Sequence, residues 1–243
     1  IGYSNLPVKI ADAHGGVSVG PDGATHQALE EIALITAIPG FVMYVPCDSI
    51  ETAKATLAAA VNNAPTAIRF AREATPVVTS EETPFEPGIA NVIRYRGEAD
   101  RFVDAFETKL STDYETEDED LAIVACGPMV PEAMRAAVIL KEEFDVETRV
   151  VNLHTVKPID RNAVIAAASE IGMVITAEEH QVGGMGNRVA GVVCEADLDE
   201  PVRLAMIGVQ DRFGESGEPW ELVKVFGLTG EHIAEKAREL LGV

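Results

Sequence analysis

The sequence predicts an α/β protein of two domains, with mainly parallel sheets flanked by helices. Two observations carry this. Short apolar runs of strand length alternate with helical periodicity near the start of the chain and again in its second half, the pattern of βαβ units. Between them, from Thr75 to about Asp120, the alternation gives way to proline- and acid-rich sequence. At 243 residues, 47% of them hydrophobic, the chain can bury one large core or two ordinary ones.

In chain order, Pro7–Ala13 (PVKIADA) reads as a buried strand, followed by the glycine-rich stretch HGGVSVGPDGATHQALE, His14 to Glu30. Apolar residues at Leu29, Ile32, Ala33 and Ile35 have helical spacing, with Thr25 as the expected N-cap and His26 in the first turn. Phe41–Val45 is a strand. Asp48-x-x-Glu51 resembles a capping box that opens an alanine-rich helix to about Asn62. Thr66–Ala71 (TAIRFA) is the next strand. These elements place a first domain at 1–80.

Residues 81–119 read as a linker with an acidic insertion. ADRFVDAFETKL is expected as a short surface helix, and STDYETEDED (Ser111–Asp120) as a charged run that packs poorly and has no role in a site. A second α/β unit occupies 120–243. It runs LAIVAC strand, Pro131–Phe144 helix, TRVVNL strand, Arg161–Ile171 helix, MVITAEE strand, a glycine-rich turn, a helix to about Cys194, VRLAMI strand and a last helix in EHIAEKARELL. Pro131 suits a first helical turn and Gly172 a C-cap.

The formal net charge is −21, which argues against nucleic acid or an anionic membrane as partner, since both require a basic face. Cys47, Cys126 and Cys194 are scattered and form no CxxC pair, so reduced thiols in a cytoplasmic protein are expected. No HExxH motif or paired Cys/His spacing supports a metal site. No G-x-S-x-G supports a hydrolase.

In GPDG the proline sets φ, the aspartate tolerates turn geometry and glycine accepts positive φ. A neutral His26 could exchange a proton near pH 7, or could simply be a satisfied histidine at a helix start; spacing leaves both open. His14 closes the first strand and Arg72 follows TAIRFA. Ligands of open α/β sheets sit beyond the carboxyl ends of strands, so His14, Asp22, His26 and Arg72 could share a crevice suited to an anionic, oxygen-rich ligand such as a sugar phosphate. Arg72 could equally form a surface ion pair. EEHQVGGMGNRVAG (Glu178–Gly191) lacks the P-loop lysine and reads better as a tight strand-to-helix turn than as a phosphate loop, with His180 in packing or at an interface.

THQALEEIALITAIPGFVMYVPCDSIETAKA closely resembles the pyrimidine-binding domain of transketolases. ACGPMVPEAMRAA, VVNLHTVKPID and EEHQVGGMGNRVAG follow in the order of the transketolase C-terminal domain. DRFGESGEPWELVKVFGLTGEHI is similar to the ending of split transketolases, in which two chains make one enzyme. The resemblance covers nearly the whole chain except about Arg96 to Asp120.

The resemblance implies transfer of a two-carbon ketol unit between sugar phosphates, with thiamine diphosphate and Mg2+ as cofactors. It implies that His26 lies near the thiazolium and the first substrate oxygens, that Asp22 recognises the C2 hydroxyl, that His14 contacts substrate towards its phosphate, and that Arg72 grips the phosphate. It also implies that this chain does not hold the cofactor alone: the glutamate and aromatics that meet the aminopyrimidine, and the G-D-G…N diphosphate motif, are not in it. An N-terminal diphosphate-binding section is then the expected partner, with a homodimer formed through the C-terminal part. Alternatives are a 1-deoxyxylulose-5-phosphate synthase-like enzyme, where T-H-H usually replaces the T-H-Q found here, a 2-oxo acid dehydrogenase beta-like enzyme, or a non-catalytic dimerisation module.

Overall fold

The computed structural model describes residues 1–243. Ten strands form two sheets. The first takes β1 (Lys9–Ala13), β2 (Val42–Tyr44), β3 (Thr66–Phe70) and β8 (Thr155–Lys157) in the order β1-β3-β2-β8. The second takes β4 (Asn91–Tyr95), β5 (Phe106–Leu110), β6 (Leu121–Ala125), β7 (Thr148–Asn152), β9 (Met173–Gln181) and β10 (Arg203–Val209) in the order β10-β9-β6-β7-β4-β5. Pairing is parallel among β1, β3 and β2 and among β10, β9, β6 and β7. The expected fold class is the observed one.

The seven α-helices are α1 (Glu31–Ala37), α2 (Ser49–Val61), α3 (Met129–Phe144), α4 (Arg161–Ile171), α5 (Met185–Glu195), α6 (Pro219–Val225) and α7 (Gly230–Leu241). Helix α3 packs with α7 in the larger core, around Ile123, Met134, Leu140 and Ile233. Helices α4 and α5 contribute to a second core around Val124, Val164 and Val189. That core also takes in Ile32, Met43 and Val45 from the first sheet and α1, so apolar burial joins the two units. No helix is long and apolar enough to cross a membrane.

Local chemistry explains the elements that follow the sequence reading. Asp48 accepts the Glu51 N–H at 2.9 Å and caps α2, while its other oxygen takes the N–H groups of Val78 and Thr79. The Glu51 carboxylate reaches one residue beyond the expected box partner, accepting from the Cys47 N–H at 2.7 Å and from Asn152 Nδ2 on β7 at 2.7 Å. Gly172, at φ 74°, closes α4 in the left-handed conformation.

Four features depart from the reading. First, no helix starts at Thr25: α1 begins at Glu31, and His26 lies in a turn whose N–H donates to the Gly23 carbonyl. The backbone of residues 28–29 pairs elsewhere. Gly16 N–H donates to the Ala28 carbonyl at 2.8 Å, and Gln181 N–H to the Leu29 carbonyl at 2.9 Å, so this segment cannot also be helical.

Second, the expected linker contains β4 and β5, an antiparallel hairpin that extends the second sheet through β7. ADRFVDAFETKL is a short 3-10 turn (Phe102–Ala105) running into β5. Tyr95, Phe102 and Phe106 pack as an aromatic cluster that favours this sheet edge. Third, β8 comes from the second half of the chain yet pairs antiparallel with β2 of the first sheet.

Fourth, the acidic run is not wholly solvated. The Glu119 side chain is fully buried, 2.6 Å from Arg94 and 2.9 Å from Arg149, which are themselves buried. Deleting residues 112–120 would leave Arg94 with Glu147 alone and Arg149 with Glu170 alone, so the run contributes to the packing of the second sheet.

Candidate functional site

Strands β1 and β3 are parallel neighbours, with Ala13 opposite Phe70. His14 follows the last residue of β1, and Arg72 lies two residues beyond β3. Both therefore stand at the carboxyl edge of the first sheet, as topology requires of a ligand crevice. The loop between them is closed at its base by the Gly15–Ala28 bridge and by the Ala28 N–H donating to the His14 carbonyl. Within it, Val17–Asp22 forms a 3-10 turn, broken at Gly20 by a non-helical φ of 80°.

This turn carries Asp22 to Arg72. Arg72 Nη1 donates to the Val19 carbonyl at 2.5 Å and lies 3.0 Å from Asp22 Oδ2. The pair is about one-third exposed, with side-chain exposures of 32% and 43%, so the arginine stays open to a ligand. His26 is exposed. Its Nδ1 pairs with the Thr25 hydroxyl at 2.9 Å, and no protein group engages its Nε2. His14 is exposed too, at φ 67°, a region few non-glycine residues adopt. The structure thus brings Asp22 and Arg72 into contact and sets His14 beside the loop end that carries His26.

Behind the loop is a polar layer that sequence reasoning passed over. Arg69 of β3 is buried, pairs with the Glu31 carboxylate and donates through Nη2 to the Glu179 backbone carbonyl at 2.7 Å. Burial disfavours its charge, but Glu31 and Glu179 more than offset that and raise its pKa. The Glu179 side chain accepts the Ser18 N–H at 2.6 Å, and burial pushes its carboxyl above the usual range. The signal was present in the sequence: TAIRFA and MVITAEEH each place charge inside an apolar strand run, where charge survives only if paired.

His180 is fully buried. Its Nε2 accepts the Ile32 N–H at 3.1 Å, so the ring proton sits on Nδ1, which donates to the Gln181 carbonyl at 2.8 Å. It therefore serves the first turn of α1, the packing role expected for it. Glu178 accepts the N–H groups of Met185 and Gly186 at 2.6 and 2.9 Å. The N-terminus of α5, where a phosphate would sit in a glycine-rich phosphate loop, is thus filled by the chain's own carboxylate.

A groove of 1250 Å3 lies elsewhere, between residues 76–84, the β4–β5 hairpin and α3. Its arginines are already committed, Arg101 to Asp104 and Arg135 to Glu231. No group of three or more His, Cys, Asp or Glu side chains is placed to hold a metal ion.

Two family models match the chain in series: the transketolase pyrimidine-binding domain over residues 1–77 and the transketolase C-terminal domain over residues 111–233. A Methanocaldococcus jannaschii protein described as a transketolase C-terminal section is 35% identical over 98% of this chain and 68% of its own length. A 6-deoxy-6-sulfo-D-fructose transketolase subunit of Clostridium sp. is 33% identical over 99% of this chain and 67% of its own. Among solved structures, a split gene transketolase, an inactive beta4 tetramer, superposes with a TM-score of 0.80 at 34% identity, covering 99% of this chain and 69% of that one. The chain belongs to the transketolase family, its two parts matching the pyrimidine-binding and C-terminal domains in that order.

Proposed function

We propose that this chain is the C-terminal section of a two-part transketolase and forms the substrate-facing wall of a site completed by an N-terminal, diphosphate-binding section. The supporting observation is that Arg72, 3.0 Å from Asp22, and His14 stand at the carboxyl edge of β3 and β1, with His26 in the loop that follows β1. The reaction moves a two-carbon ketol unit between sugar phosphates, and thiamine diphosphate supplies its carbanion chemistry.

In this reading Arg72 offers a planar fork of donors to the substrate phosphate, assisted by His14. Asp22 accepts from the C2 hydroxyl. His26, with Nδ1 held by Thr25, presents Nε2 to the oxygens of the reacting end. Thiamine diphosphate and Mg2+ are held mainly by the partner section. Residues 1–80 form the pyrimidine-binding unit, and 120–243, with the β4–β5 hairpin added to their sheet, form the C-terminal unit through which a homodimer assembles. Three free cysteines are consistent with a reducing, cytoplasmic setting.

The test is reconstitution with an N-terminal transketolase section, thiamine diphosphate and Mg2+. Ketol transfer from xylulose 5-phosphate, with no turnover of pyruvate as donor, is the expected result. Folded partners that transfer no ketol group refute the proposal.

A further inference from the structure

Glu179 belongs to β9 of the second sheet, yet its side chain serves the loop of the first. It is 1% exposed, and its Oε1 accepts the buried Ser18 N–H at 2.6 Å. Gly16 sits at φ 94° against this carboxylate, where a Cβ would overlap it, and a Cβ on Gly15 would overlap the Arg69 guanidinium. Arg69 in turn holds the Glu179 carbonyl and Glu31, so residues 15–18 at the start of the loop bear on one buried pair.

The contact leads directly to the candidate site. Ser18 precedes Val19, whose carbonyl receives Arg72 Nη1, and the same 3-10 turn ends at Asp22, the other partner of Arg72. Displacing Ser18 therefore displaces both groups that hold the arginine. Other parts of the C-terminal unit press on the same loop: Gln27 Nε2 donates to the Glu215 carbonyl at 2.9 Å, and Pro219 packs on Gly20. Burying two carboxylates, Glu31 and Glu179, around one arginine is a poor way to gain stability, because desolvation offsets the attraction. It is an effective way to hold a backbone in one position.

We infer that Glu179 is a positioning residue that sets the shape of the candidate substrate loop, and that shaping this loop is a function of the C-terminal unit. The inference rests on the reading of the loop under Proposed function. Two measurements separate them. In this chain alone, hydrogen exchange of residues 14–28 is compared between wild type, Glu179→Ala and Glu179→Gln. In the assembly with an N-terminal section, thiamine diphosphate and Mg2+, kcat and KM for xylulose 5-phosphate are compared across the same set.

Glu179→Ala is expected to speed exchange of the loop amides about tenfold, with β6 and β7 unchanged, and to raise the donor KM about tenfold while kcat falls less than about threefold. Glu179→Gln keeps an oxygen for the Ser18 N–H and should restore most of both. If Glu179→Ala does not fold, Glu179→Asp, which keeps the charge and withdraws it by one methylene, takes its place with the same expectations. Unchanged loop exchange, or exchange that rises equally in β6 and β7, overturns the inference, as does an unchanged KM in an active assembly. If the wild-type assembly transfers no ketol group, the functional reading fails, and exchange alone decides the role of Glu179.

Discussion

His14–Gln27 and Glu178–Asn187 draw on the same residue types, glycines with carboxylate and histidine side chains, and the fold uses them in opposite ways. In the second stretch Glu178, Glu179 and His180 are at most 1% exposed, and their acceptor atoms take N–H groups of Met185, Gly186, Ser18 and Ile32. In the first, His14, Asp22 and His26 are exposed, and no protein group engages His26 Nε2. The first stretch has exposed hydrogen-bonding capacity to offer a ligand, while the second has used most of its own on the backbone. Unspent capacity, rather than residue type, separates a candidate site from its scaffold.

The comparison predicts where mutations act. The largest stability effect is expected in the buried stretch. Glu178→Ala leaves two N–H groups of α5 without an acceptor and should cost about 3 kcal/mol, read as a lower denaturation midpoint. A loss below about 1 kcal/mol would place Glu178 with the solvated loop residues.

Glu51 extends the comparison to a third region. Buried without a cation, its carboxyl is pushed up to about 7, against hydrogen bonds from Cys47 and Asn152 that pull it down. A carboxyl whose folded pKa is raised binds its proton more tightly in the native state. The native protein therefore loses stability as pH rises from the unfolded value near 4.5 through 7, on the order of 3 kcal/mol in all. Urea denaturation should show Glu51→Gln gaining on wild type between pH 5 and pH 8, since the variant has no proton to lose there. A gap that does not change with pH refutes this.

Gly16→Ala probes the contact between the two stretches. Positive φ and the Glu179 carboxylate both oppose a Cβ, for a cost of about 2 kcal/mol by thermal denaturation. The smallest stability effect belongs to the exposed loop. His26→Ala should change stability by less than about 0.5 kcal/mol, while lowering kcat/KM for ketol transfer about 100-fold in the reconstituted assembly. A large stability loss with unchanged activity would reverse the roles assigned to the two stretches.

Much of the fold was legible in the sequence. Helix α4 runs Arg161–Ile171 and stops at Gly172, and Asp48 opens α2, as their local patterns indicate. Such signals span a few residues and carry their own partners. The start of α1 was not legible, because its first turn is served by His180, 148 residues away, and Ala28 is held by the glycine bridge. Strand β8 was missed for a similar reason: three residues show no period, and their partner β2 lies in the other sheet. The hairpin β4–β5 was obscured by the prolines and acids around it.

Of the candidate site, the residue types and their place at strand ends were readable from the chain, and the family motif singled out His14, Asp22, His26 and Arg72. The layer behind them was not. Ser18 and Glu179 are 161 residues apart. By itself the sequence determined the α/β order, the family and the chemical groups available. Only the tertiary structure decided which carboxylates and histidines face solvent and which hold the backbone, because burial and hydrogen-bond satisfaction depend on what packs against a residue, and those neighbours come from distant parts of the chain.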